Sequence, residues 1–249
     1  MFVVAIATLA SSPEDEAPAL ARDLGVTAYE TRLLLVRGLP AVVLRCREKD
    51  RAVDLLQRLR ARRHQAVAFD SDAVTRRASM FRPRTLDLQP DGLRAEDEWF
   101  PYSAMLALVH GSQPTRTESI ETTTHRKLDL KSAVVTGGLK LTKKVKTEHH
   151  VVVDDREQFL FVYSRTNGVP WRLEEHALQY ACLGADMTTN RMENFRKLVE
   201  RLRTAAPHAR YDDSLLHFAK ASHDKLGEQT IDEQAHLLAL CTAKGMLEG

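Results

Sequence analysis

A largely apolar run, Phe2–Leu9, interrupted only by Thr8, opens the chain; it is far too short to span a membrane and has the length of a buried strand. Polar punctuation follows at once. Ser12 fits a helix N-cap, Pro13 the first helical position, and Glu14, Asp15 and Glu16 put anions in the first turn, where the helix dipole favours them. That helix carries Ala19, Leu20 and Leu24 and stops at Gly25. Thr27, with Glu30 three residues on, forms a capping box for a second helix that carries Leu33, Leu34 and Val36 and ends at Gly38 and Pro40. Ala41–Cys46 reads as strand. Lys49–His64 reads as helix, with Ala52, Val53, Leu56 and Leu59 at helical spacing, and Ala66–Asp70 as a third strand. The order β-α-α-β-α-β allows a three-stranded antiparallel sheet with helices on one face.

The pattern changes near residue 80, after the polar, basic stretch Ser71–Arg84. Leu86 and Leu88 alternate with Asp87 and Gln89, Pro90-Asp91-Gly92 predicts a turn, and Trp99–Leu108 is apolar. Val151–Val153, a turn at Asp154-Asp155, and Phe159–Tyr163 predict further strand. Thr166-Asn167-Gly168 predicts a hairpin turn into Val169–Leu173. Asn190–Thr204 reads as an amphipathic helix capped by Asn190, with Met192, Phe195, Leu198, Val199 and Leu202 along one stripe. Two short helices are expected beyond it, Asp212–Gly227 and Thr230–Lys244. The second has Thr230 and Glu233 as a capping box and an apolar face of Ala235, Leu237, Leu238 and Leu240, which must bury on the first domain, the second, or a partner. Thr115–His150 stands apart: it is rich in Thr, Ser and Lys, carries a net charge of +4, and has Gly137-Gly138 near its centre. It reads either as an edge hairpin bent at the glycines or as a mobile loop.

Leu24–Asp70 resembles the C-terminal domain of ribosomal protein L7/L12 in the spacing of its helices and strands. Gly25 matches one of that family's glycines, whereas Glu30 and Arg32 stand where the family tends to have a Lys-rich helix. The resemblance implies a helical hairpin that docks other proteins, here over Tyr29–Arg37. Residues 85–206 resemble a PH-like barrel. The segment Thr85–Gly111 has the look of that fold's opening hairpin and third strand, and the helix at 190–204 would plug the barrel. The family's lipid-headgroup site uses basic residues in the first strand loop; here Gln89-Pro90-Asp91-Gly92 has none, so the resemblance implies a protein-binding module. The expected fold class is α+β: a small β-α-α-β-α-β sandwich over 1–80, a PH-like β-barrel with C-terminal helix over 85–206 carrying a long insertion at 112–150, and an α-helical tail over 207–249.

With 43 % hydrophobic and 28 % charged residues, the composition excludes wholesale disorder, collagen-like repeats and a membrane-spanning bundle. A net charge of +2 over 249 residues argues neither for nor against a nucleic-acid partner. Cys46, Cys182 and Cys241 are odd in number and far apart, and no basic residue precedes Arg22. Neither a disulfide framework nor a secretory signal is expected, and a cytoplasmic location is.

No glycine-rich nucleotide loop, H-E-x-x-H or G-x-S-x-G occurs, so no cofactor, no metal and no enzymatic activity is expected. His149-His150 would point oppositely on a strand, a poor chelate. Asp213 and His217 would share a helix face but lack a third ligand. Cys182 has only His176 nearby in sequence as a base. Candidate binding residues fall in three places. Tyr29 and Arg32 lie on the second helix. Arg58 and Arg62 are helical neighbours in residues 45–63, where eight basic residues face three acidic ones. Lys140, Lys143, Lys144 and Lys146 crowd the insertion. Three function classes follow: a non-enzymatic cytosolic adaptor or regulatory module, suggestive of signalling, that binds another protein; an anion or nucleic-acid binder using the basic segments, with salt-sensitive affinity; and an enzyme with an unrecognised site.

Overall fold

In the computed structural model of the chain, β1 (Phe2–Thr8) is the central strand of a three-stranded sheet of order β2-β1-β3, with β2 (Ala41–Cys46) and β3 (Gln65–Asp70) both antiparallel to it. The structure describes residues 1–128, 142–166, 168–217 and 231–247, and for 114–128 and 142–155 the backbone alone. Between the strands lie α1 (Pro13–Leu24), α2 (Ala28–Val36) and α3 (Lys49–Ala61). The helix boundaries follow the caps. Ser12 accepts from the Asp15 N–H, and Gly25 takes a left-handed φ of 73° and donates to the Ala21 carbonyl. The third helix stops short of its expected end: Arg63 turns left-handed at φ 66°, and the N–H groups of Arg62, Arg63 and His64 return to carbonyls of the last turn.

Both faces of this sheet are covered, which explains why Val3–Ala7 is apolar without alternation. Val4 and Ile6 pack with Leu20, Leu35, Leu55 and Leu59 of the three helices. Ala5 and Ala7 face the other way, onto Leu237 and Cys241 of the last helix, α5 (Ile231–Ala243).

The chain after β3 passes through two 3-10 turns into a meander of β4 (Asp87–Leu88), β5 (Gly92–Ala95) and β6 (Glu98–Pro101). A four-stranded sheet follows, of order β10-β7-β8-β9: β7 (Met105–Leu128), β8 (Thr142–Ser164), β9 (Trp171–Glu174) and β10 (Arg210–Leu215). Residues 1–112 and 158–249 form one compact unit, and 113–157, along β7 and β8, form another. The helix α4 (Arg191–Ala205), capped by Asn190, lays Phe195, Leu198, Val199 and Leu202 on a core that includes Phe100, Leu108, Leu160, Val162 and Leu173. On the opposite face of β7 and β8, Val109, Phe159 and Phe161 pack with Ala235, Leu238 and Ala239 of α5. That helix is therefore apolar on two sides and is wedged between the two sheets. Trp171 is buried, edge-on to Phe100 and tilted on Phe81.

The protein is thus mixed α+β, with small sheets and packed helices, and several expectations need correction. The described residues form no closed barrel: the strands divide between two sheets, and β9 and β10 end the larger one. The start of the expected helix over Asp212–Gly227 is strand β10, parallel to β7. There Asp212 Oδ1 accepts from the Ser214 N–H at 3.0 Å, a local bond that competes with helix formation; residues 218–230, including Thr230, lie outside the described residues. β8 runs through Asp154 and Asp155 with no turn, because strand pairing overrides the turn preference of aspartate. β9 begins at Trp171 rather than Val169, Pro170 having no N–H to donate. Gly137-Gly138 lies outside the described residues, and β7 and β8 occupy the segments on either side.

Gly111 marks a close approach. A Cβ there would stand 2.3 Å from Phe159 Cζ and 2.9 Å from Leu215 Cβ. Gly111→Ala is expected to destabilise the protein by about 1–3 kcal/mol through overpacking, read as a lowered melting temperature; an unchanged melt would show that Phe159 and Leu215 both yield freely.

Candidate functional site

The second helix is short, nine residues, and apolar nearly all round. Its start is fixed by a complete capping box. Thr27 Oγ1 accepts from the Glu30 N–H at 3.2 Å, and Glu30 Oε2 accepts from the Thr27 N–H at 2.9 Å and its hydroxyl at 2.8 Å. These bonds hold the Glu30 carboxyl below its ordinary pKa. Thr31 and Leu35 are the buried residues of the helix. The opposite face is left in water: Tyr29 is 67 %, Leu33 40 % and Val36 59 % exposed. Their i, i+4, i+7 spacing puts them on one stripe, and exposed Val26 and Leu39 continue it at the two ends. Five of the eleven large apolar side chains exposed among the described residues fall in this one stretch, so the exposure is a cluster rather than scatter.

Beside the stripe lies a cleft of about 310 Å³, lined by Leu24, Val26, Glu30 and Leu34 on one side and Val42–Arg45 on the other. A strand face would present only alternate residues. An irregularity at Val43 breaks that alternation, and the cleft runs along β2, which is an edge strand. Val26 belongs to both stripe and cleft.

The sequence-predicted residues separate. Tyr29 and Arg32 are exposed on α2. Arg58 and Arg62 spend their charge internally: Arg58 lies 3.2 Å from Asp23 and 2.9 Å from Asp54, and Arg62 lies 2.8 Å from Asp23 and 2.9 Å from buried Glu16. Ala10 N–H donates to His64 Nδ1, which leaves Nε2 as the ring's donor, 2.7 Å from Glu16 Oε2. These groups tie α1 to α3. Lys140 lies outside the described residues, and Lys143, Lys144 and Lys146 lie on β8. Sequence reasoning put its candidate docking face on α2 but missed the exposed Val26 and Leu39 and the cleft, because an edge strand becomes visible only once the strand order is known.

The candidate chemical groups divide in the same way. Asp213 is exposed on β10, with His217 in the turn beyond, not on a shared helix face. Burial pushes the Cys182 thiol up and the Cys241 thiol up to about 11, the opposite of what a nucleophile needs. Among the described residues no three His, Cys, Asp or Glu side chains converge as a metal site, and no helix is long and apolar enough to cross a membrane. No protein-family model, curated protein or solved structure matches the chain.

His110 is buried with both ring nitrogens engaged, 2.8 Å from the Tyr211 hydroxyl and 2.9 Å from Gln158 Oε1. Burial lowers its pKa, against a weaker opposing pull from Gln158. Burial also lowers that of His236, which stands against Phe69. A folded pKa below the unfolded value of about 6.5 means that the unfolded chain binds more protons. This stability is complete above about pH 6.5 and is lost as the pH falls through the folded pKa values. The melting temperature is expected to fall as the pH is lowered below about 6.5, and less steeply in His110→Gln; a flat profile would contradict this.

Proposed function

We propose that the protein is a non-enzymatic interaction module, an adaptor or regulator, that docks another protein through the outward face of α2 and the adjoining cleft. The observation that carries this reading is the cluster of exposed apolar side chains at Tyr29, Leu33 and Val36 on a helix pinned by its cap. Exposed patches of this kind mark contact surfaces. The β-α-α-β-α-β order and the sheet order β2-β1-β3 support reading the first part as L7/L12-like, a fold whose helical hairpin would dock partners by resemblance. The packing of α4 across strands of both later sheets supports a PH-like reading of the second part, again a scaffold that hosts protein binding. Three unpaired cysteines, two of them buried, suit a reducing cytoplasm. The anion-binding alternative is weakened at Arg58 and Arg62, whose guanidinium groups already meet carboxylates.

The test is affinity capture from native lysate with the wild-type chain and with Val36→Glu as bait, at low and high salt. A discrete protein retained at high salt by wild type and absent with the variant is expected. Identical captures from both baits would sink the reading, and nucleic acid stripped by salt would favour the anion binder.

A further inference from the structure

The strand topology sorts the charge of the lysine-rich segment in a way that its sequence does not display. β10 pairs with β7 as far as Gly111, and β9 pairs with β8 over Phe159–Val162. Among the described residues, β7 and β8 continue past those points as a two-stranded ribbon. Gln113 Nε2 donates to Glu157 Oε2 at 3.2 Å, and the Arg165 N–H donates to the Ala104 carbonyl, so the strands run antiparallel. From Gln113, β7 runs on to Leu128, and β8 runs from Thr142 to Glu157 and beyond. The two stretches are equal in length, about 50 Å at ~3.4 Å per residue. The end of β7 and the start of β8 therefore lie together at the end away from Gln113.

The two ends of the ribbon differ in sign. Residues 123–128 and 142–147 hold Arg126, Lys127, Lys143, Lys144 and Lys146 and no acid. Residues 113–122 and 148–157 hold six acids and two arginines. Charges that only guard an open edge against aggregation need no such sorting, because either sign serves along the whole length. Sorting concentrates a positive field at one end and gives the other end the sign that repels the same partner.

We infer that this basic end binds double-stranded DNA through its phosphates, a contact separate from the α2 docking reading. The ribbon strands contain no Phe, Tyr or Trp over 113–128 and 142–157, so they lack the stacking platforms of single-strand binders and the aromatic anchors of membrane surfaces. Thr123, Thr124, Thr142 and Thr147 stand among the basic residues, and hydroxyl and cationic residues are the types that contact phosphate oxygens. The major groove of B-DNA, about 12 Å wide, admits a two-stranded ribbon, whereas that of duplex RNA is deep and narrow.

The probe is a labelled DNA duplex of about 20 base pairs and mixed sequence, titrated with the full chain by fluorescence anisotropy at about 50 and 200 mM salt. Binding is expected at low salt and is expected to weaken about fiftyfold at the higher salt, as release of counterions from three or four phosphates requires. Lys143→Gln, Lys144→Gln and Lys146→Gln together are expected to weaken it about tenfold or more at low salt and to flatten the salt dependence. Arg126→Gln with Lys127→Gln, on the other strand, is expected to do likewise. Arginine at positions 143, 144 and 146 is expected to keep binding within about twofold, which separates charge from folding. Val36→Glu is expected to bind the duplex as wild type does. The inference is overturned by absence of salt-dependent binding, by full binding in either glutamine variant, or by loss of binding in the arginine variant. It is equally overturned if duplex RNA, single-stranded DNA or phosphatidylserine vesicles bind as tightly as duplex DNA. Failure here leaves the α2 reading standing, because that reading is tested by protein capture at high salt.

Discussion

Leu237→Ala and Leu238→Ala, neighbours on α5, are each expected to cost about 2–5 kcal/mol and to do so through one cooperative unfolding transition. Leu237 is fully buried against Ala5, Ala7 and Val67 of the first sheet. Leu238 is buried against Val109, Phe159 and Phe161 of the second. Each truncation opens a cavity on one side of a helix that both sheets need. With a total stability of about 5–15 kcal/mol for a domain, the double variant is expected to be largely unfolded at ambient temperature. Urea titration followed by far-UV circular dichroism and by fluorescence checks this, because both tryptophans, Trp99 and Trp171, lie outside the first sheet. Leu237→Ala is expected to shift the tryptophan transition as well as the dichroism. A tryptophan transition unmoved by Leu237→Ala would mean that the first sheet unfolds on its own.

The second large effect is on binding without stability. Tyr29→Ala combined with Val36→Glu is expected to weaken partner binding by about 2 kcal/mol or more, while the stability stays within about 0.5 kcal/mol of wild type. Both side chains are more than half exposed, so their removal uncovers no core. Alanine at position 29 also favours the helix slightly. A matching loss of stability and binding would mean that the α2 stripe packs in cis and is not a contact surface.

How far the sequence carried the structure depends on the range of the interaction that decides each element. Local signals were legible: the Ser12 and Asn190 caps, the Thr27–Glu30 capping box and the Gly25 stop all stand where residue chemistry alone puts them. Long-range pairing was not. Arg210–Leu215 carries no strand signature of its own and is a strand because β7 offers it a parallel edge. The apolar face of α5 showed that the helix must be buried; that it separates two sheets depends on contacts across more than 200 residues, such as Ala5 with Leu237. The basic run at 45–63 read as a patch because its acidic partners, Glu16 and Asp23, come from a different helix. On the proposed docking face, Tyr29 and Arg32 were legible from α2 itself, and Val42–Arg45 were not, because nothing in a strand's sequence says that it ends a sheet.

The most direct measurement is hydrogen exchange on the full chain with and without a captured partner, resolved by peptide mass spectrometry. Added protection is predicted over 24–45, in α2 and along β2, with β7, β8 and α4 unchanged. Protection confined to residues 142–164, or absent from 24–45, would contradict the assignment of α2 and its cleft as the docking site.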